Sequence, residues 1–342
     1  MDQAPSRGTS EKLPSHGTGC LLVSVSSISV IIPVYQSAER LPEHVESLRR
    51  LRPKVHEFIW VTTESPDRSH EIAREAAKEL GGQVLEVPRG LYQAWNSGIA
   101  RATGDFIYIS TIGDTITPEG LKALSHCLQK TEADVVFSPP AICPETKINL
   151  RRSKHWPVFK FAPILSNYAG GSFPKEKAIL MQILSGASGL LGSCASCLFR
   201  ASFFQGRPFP TDYNHYGDTA WTYQHLPNAI LTFHPDTVAR FIIHDADTSR
   251  KVDKNQIYSL MDSLAVHLPE KDHACVNQLT SASKRIDNIR DPHPRYGWWV
   301  FPAAWFCRIA RESCKSQLLR TLKGASWRSF GKKDLASHAI HN

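Results

Sequence analysis

Between residues 29 and 138, short and wholly apolar runs alternate with segments of helical spacing, and this alternation limits the fold more than any other feature of the chain. Val30-Ile31-Ile32 has no polar position, so a strand built from it must be covered on both faces. It ends at Pro33, and Leu41, Val45, Leu48 and Leu51 then keep the spacing of one helix face, with Ser37 as the expected cap. Residues 58–61 form a second strand. The helix after it carries Ile72, Ala73, Ala76 and Leu80 on one side and stops at Gly81-Gly82, where glycine tolerates a left-handed backbone. Residues 84–87, 106–109 and 135–137 supply further strands. A helix over 92–102, closed by Gly104, and another that opens on Thr117-Pro118 separate them. This order predicts an α/β fold, with a mostly parallel sheet, helices on both faces and right-handed crossovers. Ligands of such sheets gather beyond the carboxyl ends of the strands. Attention therefore falls on Pro33, Tyr35, the stretch 62–67, the stretch 89–96 and the stretch 110–114.

Past residue 139 the regularity fades. No helix is evident before 175–184, 190–199 and 230–233 read as strands, and 253–290 reads as mixed helical and polar. Residues 1–26 read as a disordered leader. With 342 residues, 42% of them hydrophobic and 21% charged, the chain can bury one large core with additions. Eight cysteines show no framework of spacings, and Cys194-x-x-Cys197 has no second pair to complete a zinc site. They read as small buried residues of a reducing compartment. The opening residues lack the order of an export signal, and no apolar run reaches the ~20 residues a spanning helix needs. A cytoplasmic protein is expected.

The net charge of +8 is concentrated late: residues 296–333 hold eight Lys/Arg and one Glu. Trp298, Trp299, Phe301, Trp305 and Phe306 precede this basic stretch, and Leu318, Leu319 and Leu322 form a partial apolar face within it. Two readings stay open. The stretch contacts a membrane surface, at the inner face of the plasma membrane, or it is a helix packed on the rest of the protein with its charges solvated. Nucleic-acid binding is not expected, because no recognition module accompanies the charge.

Four stretches, in this order and spacing, resemble the family-2 glycosyltransferases of bacterial polysaccharide biosynthesis. They are Val30-Ile31-Ile32-Pro33-Val34-Tyr35, Ser65-Pro66-Asp67-Arg68-Ser69, Gly90-Leu91-Tyr92-Gln93-Ala94-Trp95-Asn96 with Ala102-Thr103-Gly104-Asp105, and Ser110-Thr111-Ile112-Gly113-Asp114. The resemblance implies a GT-A fold over 27–250, with a nucleotide-binding half at 27–138 and an acceptor half at 139–250. A helical or irregular extension would fill 251–342. It also implies transfer of a sugar from a nucleotide-diphosphate donor to a saccharide or lipid-linked glycan acceptor.

The leaving diphosphate needs its charge neutralised, and Mg²⁺ or Mn²⁺ held by Asp114 is the implied means. The alternative for Asp114 is that it orders the turn before the following helix. Pro33, Tyr35, Glu64, Arg89, Tyr92 and Asn96 are the implied contacts to nucleotide or sugar, while Trp95 reads as core. Asp218, in Gly217-Asp218-Thr219-Ala220-Trp221, is the implied base of an inverting displacement; its alternative role is a helix N-cap, and Asp212 competes for the chemistry. His244 is implied to help hold the metal, as a ligand beside Asp114, or the diphosphate; otherwise it is a polar loop residue. The chain departs from the family pattern at Gly113, where many members carry a second aspartate. It departs again at Thr62-Thr63, where an acidic residue often meets the base and Glu64 could stand in. These departures keep open a catalytically silent domain that binds nucleotide sugar or a partner.

Overall fold

The computed structural model describes residues 26–144, 156–243, 255–290 and 300–323. Its centre is a seven-stranded sheet in the order β3-β2-β1-β4-β8-β6-β9. The strands are β1 (Ile28–Val34), β2 (Glu57–Thr62), β3 (Gln83–Glu86), β4 (Phe106–Ile109), β6 (Val135–Phe137), β8 (Cys197–Arg200) and β9 (Leu231–Phe233). Every pairing is parallel except those of β8, which runs antiparallel to both β4 and β6. Strands β5 (Thr115–Ile116), β7 (Ala141–Pro144) and β10 (Ala239–Ile243) form a small second sheet with β10 in the middle.

The unbroken apolar strands are explained by two cores. On one side of the sheet Val30, Ile32, Phe58, Trp60, Phe106 and Tyr108 pack under α1 (Leu41–Leu51), α2 (Ser69–Leu80) and α4 (Pro118–Thr131). On the other, Ile31, Ile59, Val61, Ile107 and Ile109 meet α3 (Leu91–Arg101). Side chains alternate between the two cores, so a strand with a polar face would have nowhere to put it. Gly98 lets α3 approach: a Cβ there would stand 2.4 Å from a methyl of Ile31.

Several details depart from the sequence reading. β1 continues through Pro33 to Val34, because β4 has stopped pairing at Ile31 and only β2 flanks the strand there. The missing N–H therefore breaks no bond to β4. Ser37 holds the start of α1 with its carbonyl, which accepts from the Arg40 and Leu41 amides, and its hydroxyl has no cap bond. Residues 190–199 are not one strand: Cys194–Ser196 make a 3₁₀ turn whose cap is the Ser193 hydroxyl, and the strand begins at Cys197. An unforeseen helix, α5 (Pro157–Leu165), opens on a proline and carries a second one, Pro163, inside it. Thr117, as expected, caps α4 by accepting from the Gly120 amide at 2.9 Å.

Helices α6 (Lys175–Ser185), α7 (Gly217–His225), α8 (Asn255–Ala265), α9 (Glu270–Arg290) and α10 (Val300–Lys323) complete the description. Val276, Leu279, Leu318 and Leu322 join the same core as Ile31, and Leu319 packs against it. This part of the tail's apolar face is therefore spent inside the protein and is not available to a bilayer. Among the described residues no helix is long and apolar enough to cross a membrane.

Candidate active site

The strand register places three loops side by side. Val34 pairs with Thr62, and Thr62 pairs with Glu86, so β1, β2 and β3 end level with one another. The chain order reverses at β1, which has β2 on one side and β4 on the other, and such a switch point leaves a crevice at the strand ends. An open pocket of about 640 Å³ lies there, lined by Tyr35, Thr63, Glu64, Ser65, Arg89 and their neighbours. Tyr35, Glu64 and Arg89 thus come together, with the Arg89 guanidinium 4.6 Å above the Tyr35 ring. Pro33 stays within β1, paired with Val61, and does not line the pocket. Thr62 is buried and its hydroxyl donates to the Leu85 carbonyl, so it fastens β2 to β3 rather than facing a ligand.

Asp67, given no role of its own by the sequence, joins two of these loops. Its carboxylate accepts from the Ser65 and Ser69 hydroxyls at 2.6 Å each and from the Ala38 amide at 3.0 Å. Burial alone would raise this carboxyl, but the hydrogen bonds outweigh it and hold the group well below the usual carboxylate range. The β1–α1 and β2–α2 loops are tied together through one charge.

Asp114 ends the turn that follows β4. Gly113, at φ +99°, supplies the left-handed step that turn requires. The Asp114 side chain is only 5% exposed; Oδ2 accepts from the Thr111 hydroxyl at 2.6 Å and Oδ1 from the Ile242 amide at 2.9 Å. The turn-ordering role is therefore realised, and it reaches across to β10. Hard divalent ions take one or two protein carboxylates alongside substrate phosphates, so the donor set fits Mg²⁺ or Mn²⁺. Among the described residues there is no cluster of three or more candidate ligands. His244 lies outside the described residues.

His44, which the sequence reading missed, supports the start of the same turn. It sits on the buried face of α1, its Nε2 3.0 Å from the Ser110 hydroxyl, while Nδ1 is buried without a partner. Burial pushes its imidazole down to about 4. Because the folded value lies below the unfolded one, the unfolded chain takes the proton first as pH falls. Stability is whole above roughly 6.5 and should fall by up to ~1.4 kcal/mol per pH unit from there towards 4. Denaturant unfolding at pH 7 and pH 5 measures this, and His44→Gln should flatten the difference.

Asp218 is the second residue of α7, whose N-cap position is Tyr216, so it serves the helix start from within the first turn and not from the cap position. Its Oδ1 accepts from the Thr219 amide at 2.6 Å and from the Tyr92 hydroxyl at 3.2 Å. Burial raises its carboxyl above the ordinary value by more than these bonds lower it. The competitor, Asp212, is exposed. A small cavity of about 10 Å³, roughly the room one water needs, lies against Asp218 and is lined by Leu191, Cys194, Phe209 and Trp221. The Cys194 thiol is pushed well above its usual value by burial, by neighbouring Cys197, and by the charges of both Asp218 and Asp114. The two carboxylates thus border the same segment.

Tyr92 and Asn96, expected as ligand contacts, are engaged elsewhere. Tyr92 is 3% exposed and gives its hydroxyl to Asp218 and to the His215 carbonyl. Asn96 clamps Phe209 at both ends, donating to its carbonyl and accepting from its amide at 2.8 Å each. Trp95 is core, as expected, packed edge-on against Tyr92 and Phe209. Helix α3 therefore begins at the pocket, just past Arg89, and grips the segment that carries Asp218.

The chain is 30% identical over 111 residues to the uncharacterized glycosyltransferase EpsJ of Bacillus subtilis, covering 32% of each chain. It is 33% identical over 113 residues to the glycosyltransferase GlyG of Streptococcus pneumoniae, covering 32% of this chain and 38% of that one. The matches thus span between 32% and 38% of these relatives. The fold is shared with S. aureus TarS 1–349 in complex with UDP-GlcNAc, at a TM-score of 0.57 and 15% identity, over 85% of this chain and 90% of that one. Residues 29–202 match the sequence profile of glycosyl transferase family 2. That span is just over half of the 342 residues and contains the pocket, Asp67 and Asp114, and on this match the chain belongs to glycosyl transferase family 2.

Proposed function

We propose that the protein is an inverting glycosyltransferase, moving a sugar from a nucleotide diphosphate to a saccharide or lipid-linked glycan acceptor. The observation that carries this reading is Asp218, a carboxylate whose proton affinity is raised by burial and which is fixed by the helix that starts at the pocket. The donor nucleotide occupies the pocket against Tyr35, Glu64 and Arg89, with the Arg89 guanidinium beside the diphosphate. TarS was solved with UDP-GlcNAc, which makes uridine donors the first to try. Asp114, with His244 as the expected second ligand, would hold Mg²⁺ or Mn²⁺, which when bound neutralises charge on the leaving diphosphate. Asp218 takes the proton of the acceptor hydroxyl as its oxygen attacks the anomeric carbon and the bond to the diphosphate breaks.

The test is to incubate the protein with nucleotide sugars, Mn²⁺ and candidate saccharide acceptors, and to follow nucleoside diphosphate release and product configuration by NMR. Product of inverted anomeric configuration is expected. Retained configuration would contradict a single displacement with Asp218 as base.

A further inference from the structure

The Tyr92 hydroxyl has two acceptors within reach, Asp218 Oδ1 at 3.2 Å and the His215 carbonyl at 3.1 Å. A phenol carries one proton, so it serves these two in turn or shares it unequally between them. The ring itself cannot wander. It is 3% exposed, with ring centroids 5.1 Å from Trp95 and 5.9 Å from Phe209. Gly217, the residue before Asp218, is what allows α7 to come down on it: a Cβ there would stand 2.3 Å from a Tyr92 ring carbon. A buried phenol is thus held within hydrogen-bond reach of the carboxylate and of an alternative acceptor.

We infer that Tyr92 is the positioning residue of the base, donating to the Asp218 carboxylate before transfer and turning to the His215 carbonyl once Asp218 carries the acceptor's proton. This rests on the reading of Asp218 as base. In that step the acceptor O–H bond breaks, its oxygen bonds to the anomeric carbon, and the carbon–oxygen bond to the diphosphate breaks. The proton ends on Asp218, and Tyr92 neither gains nor loses one. Oδ1 is occupied by Tyr92 and the Thr219 amide, which leaves Oδ2 for the incoming proton.

The surroundings keep the phenol a donor throughout. Burial raises Tyr92 far above the ordinary phenol range, and the charge of Asp218 adds to this. The Cys194 and Cys197 thiols, on which the charge of Asp218 bears, are kept protonated by burial. A hydrogen bond to the ionised form lowers a carboxyl's proton affinity, so removing it moves the titration of Asp218 upward.

The experiment is the pH profile of kcat for the full chain, as wild type and as Tyr92→Phe, with Asp218→Asn as control. Phenylalanine keeps the ring and its packing. The acidic limb should move up by about one pH unit, kcat at neutral pH should fall, and KM for the donor should stay unchanged. Incorporation of 3-fluorotyrosine at position 92, a stronger donor, should move the limb the other way, and it decides the matter if Tyr92→Phe does not fold. An unmoved limb in both, with Asp218→Asn inactive, overturns the role of Tyr92 alone. An active Asp218→Asn overturns the base reading, and this inference with it.

Discussion

Asp218→Asn is expected to lower kcat by roughly 10³-fold, inside the 10²–10⁴ that a positioned base contributes, while donor affinity stays within about twofold. The substitution is close to isosteric, and an asparagine carbonyl still accepts from Tyr92 and from the Thr219 amide, the two bonds that hold the side chain. It removes the ability to take a proton and little else. Asp218 meets α3 through Tyr92 and lines none of the open pocket, so nucleotide binding has no reason to change. Steady-state kinetics at saturating donor, with calorimetry of donor binding, separate the two quantities. A variant within tenfold of wild type would place the base elsewhere.

Asp114→Ala is expected to act on stability and chemistry together. The wild-type carboxylate holds the Thr111 hydroxyl and the Ile242 amide, joining the turn after β4 to the second sheet. Hydrogen bonds to a charged group contribute ~1.5–3 kcal/mol each, and a buried donor left without a partner costs a further ~1–3 kcal/mol. With partial rearrangement a net loss of ~2–4 kcal/mol follows, readable as a lower denaturant midpoint. Asp114→Asn divides the two roles, since its single carbonyl keeps one of the bonds and its charge is gone. This variant should lose about half as much stability and all of the dependence of nucleotide binding on Mn²⁺. Undiminished Mn²⁺ dependence in Asp114→Asn would remove Asp114 from the metal site and leave it the turn-ordering role alone.

The sheet was legible because β1, β2 and β4 feed two cores at once, and a strand buried on both faces must be written as an unbroken apolar run. Order and spacing then located the strand ends, which is where Tyr35, Glu64 and Arg89 meet. What could not be read were partners far away in the chain. The Tyr92–Asp218 bond spans 126 residues and the Asn96–Phe209 clamp 113, and nothing local to helix α3 says that these polar side chains face the segment before α7 instead of the pocket. Residues 194–196 misled for a local reason: the Ser193 and Ser196 hydroxyls bond to nearby backbone and curl a segment that is apolar enough for a strand. His44 did carry a signal, since it stands three residues after Leu41 and four before Leu48, on the stripe that α1 buries. A histidine at such a position invites a search for what it touches.

On the proposed reading, the pocket at the ends of β1, β2 and β3 binds the nucleotide of a sugar donor. The most direct measurement is thermal unfolding of wild type and Arg89→Ala with nucleoside diphosphates and their sugars, each with and without Mn²⁺. At 100-fold over its dissociation constant a ligand of the folded state adds about 2.7 kcal/mol. Mn²⁺-dependent stabilisation by one nucleotide family, reduced in Arg89→Ala, is the predicted result. A folded protein that no nucleotide stabilises at millimolar concentration would contradict it.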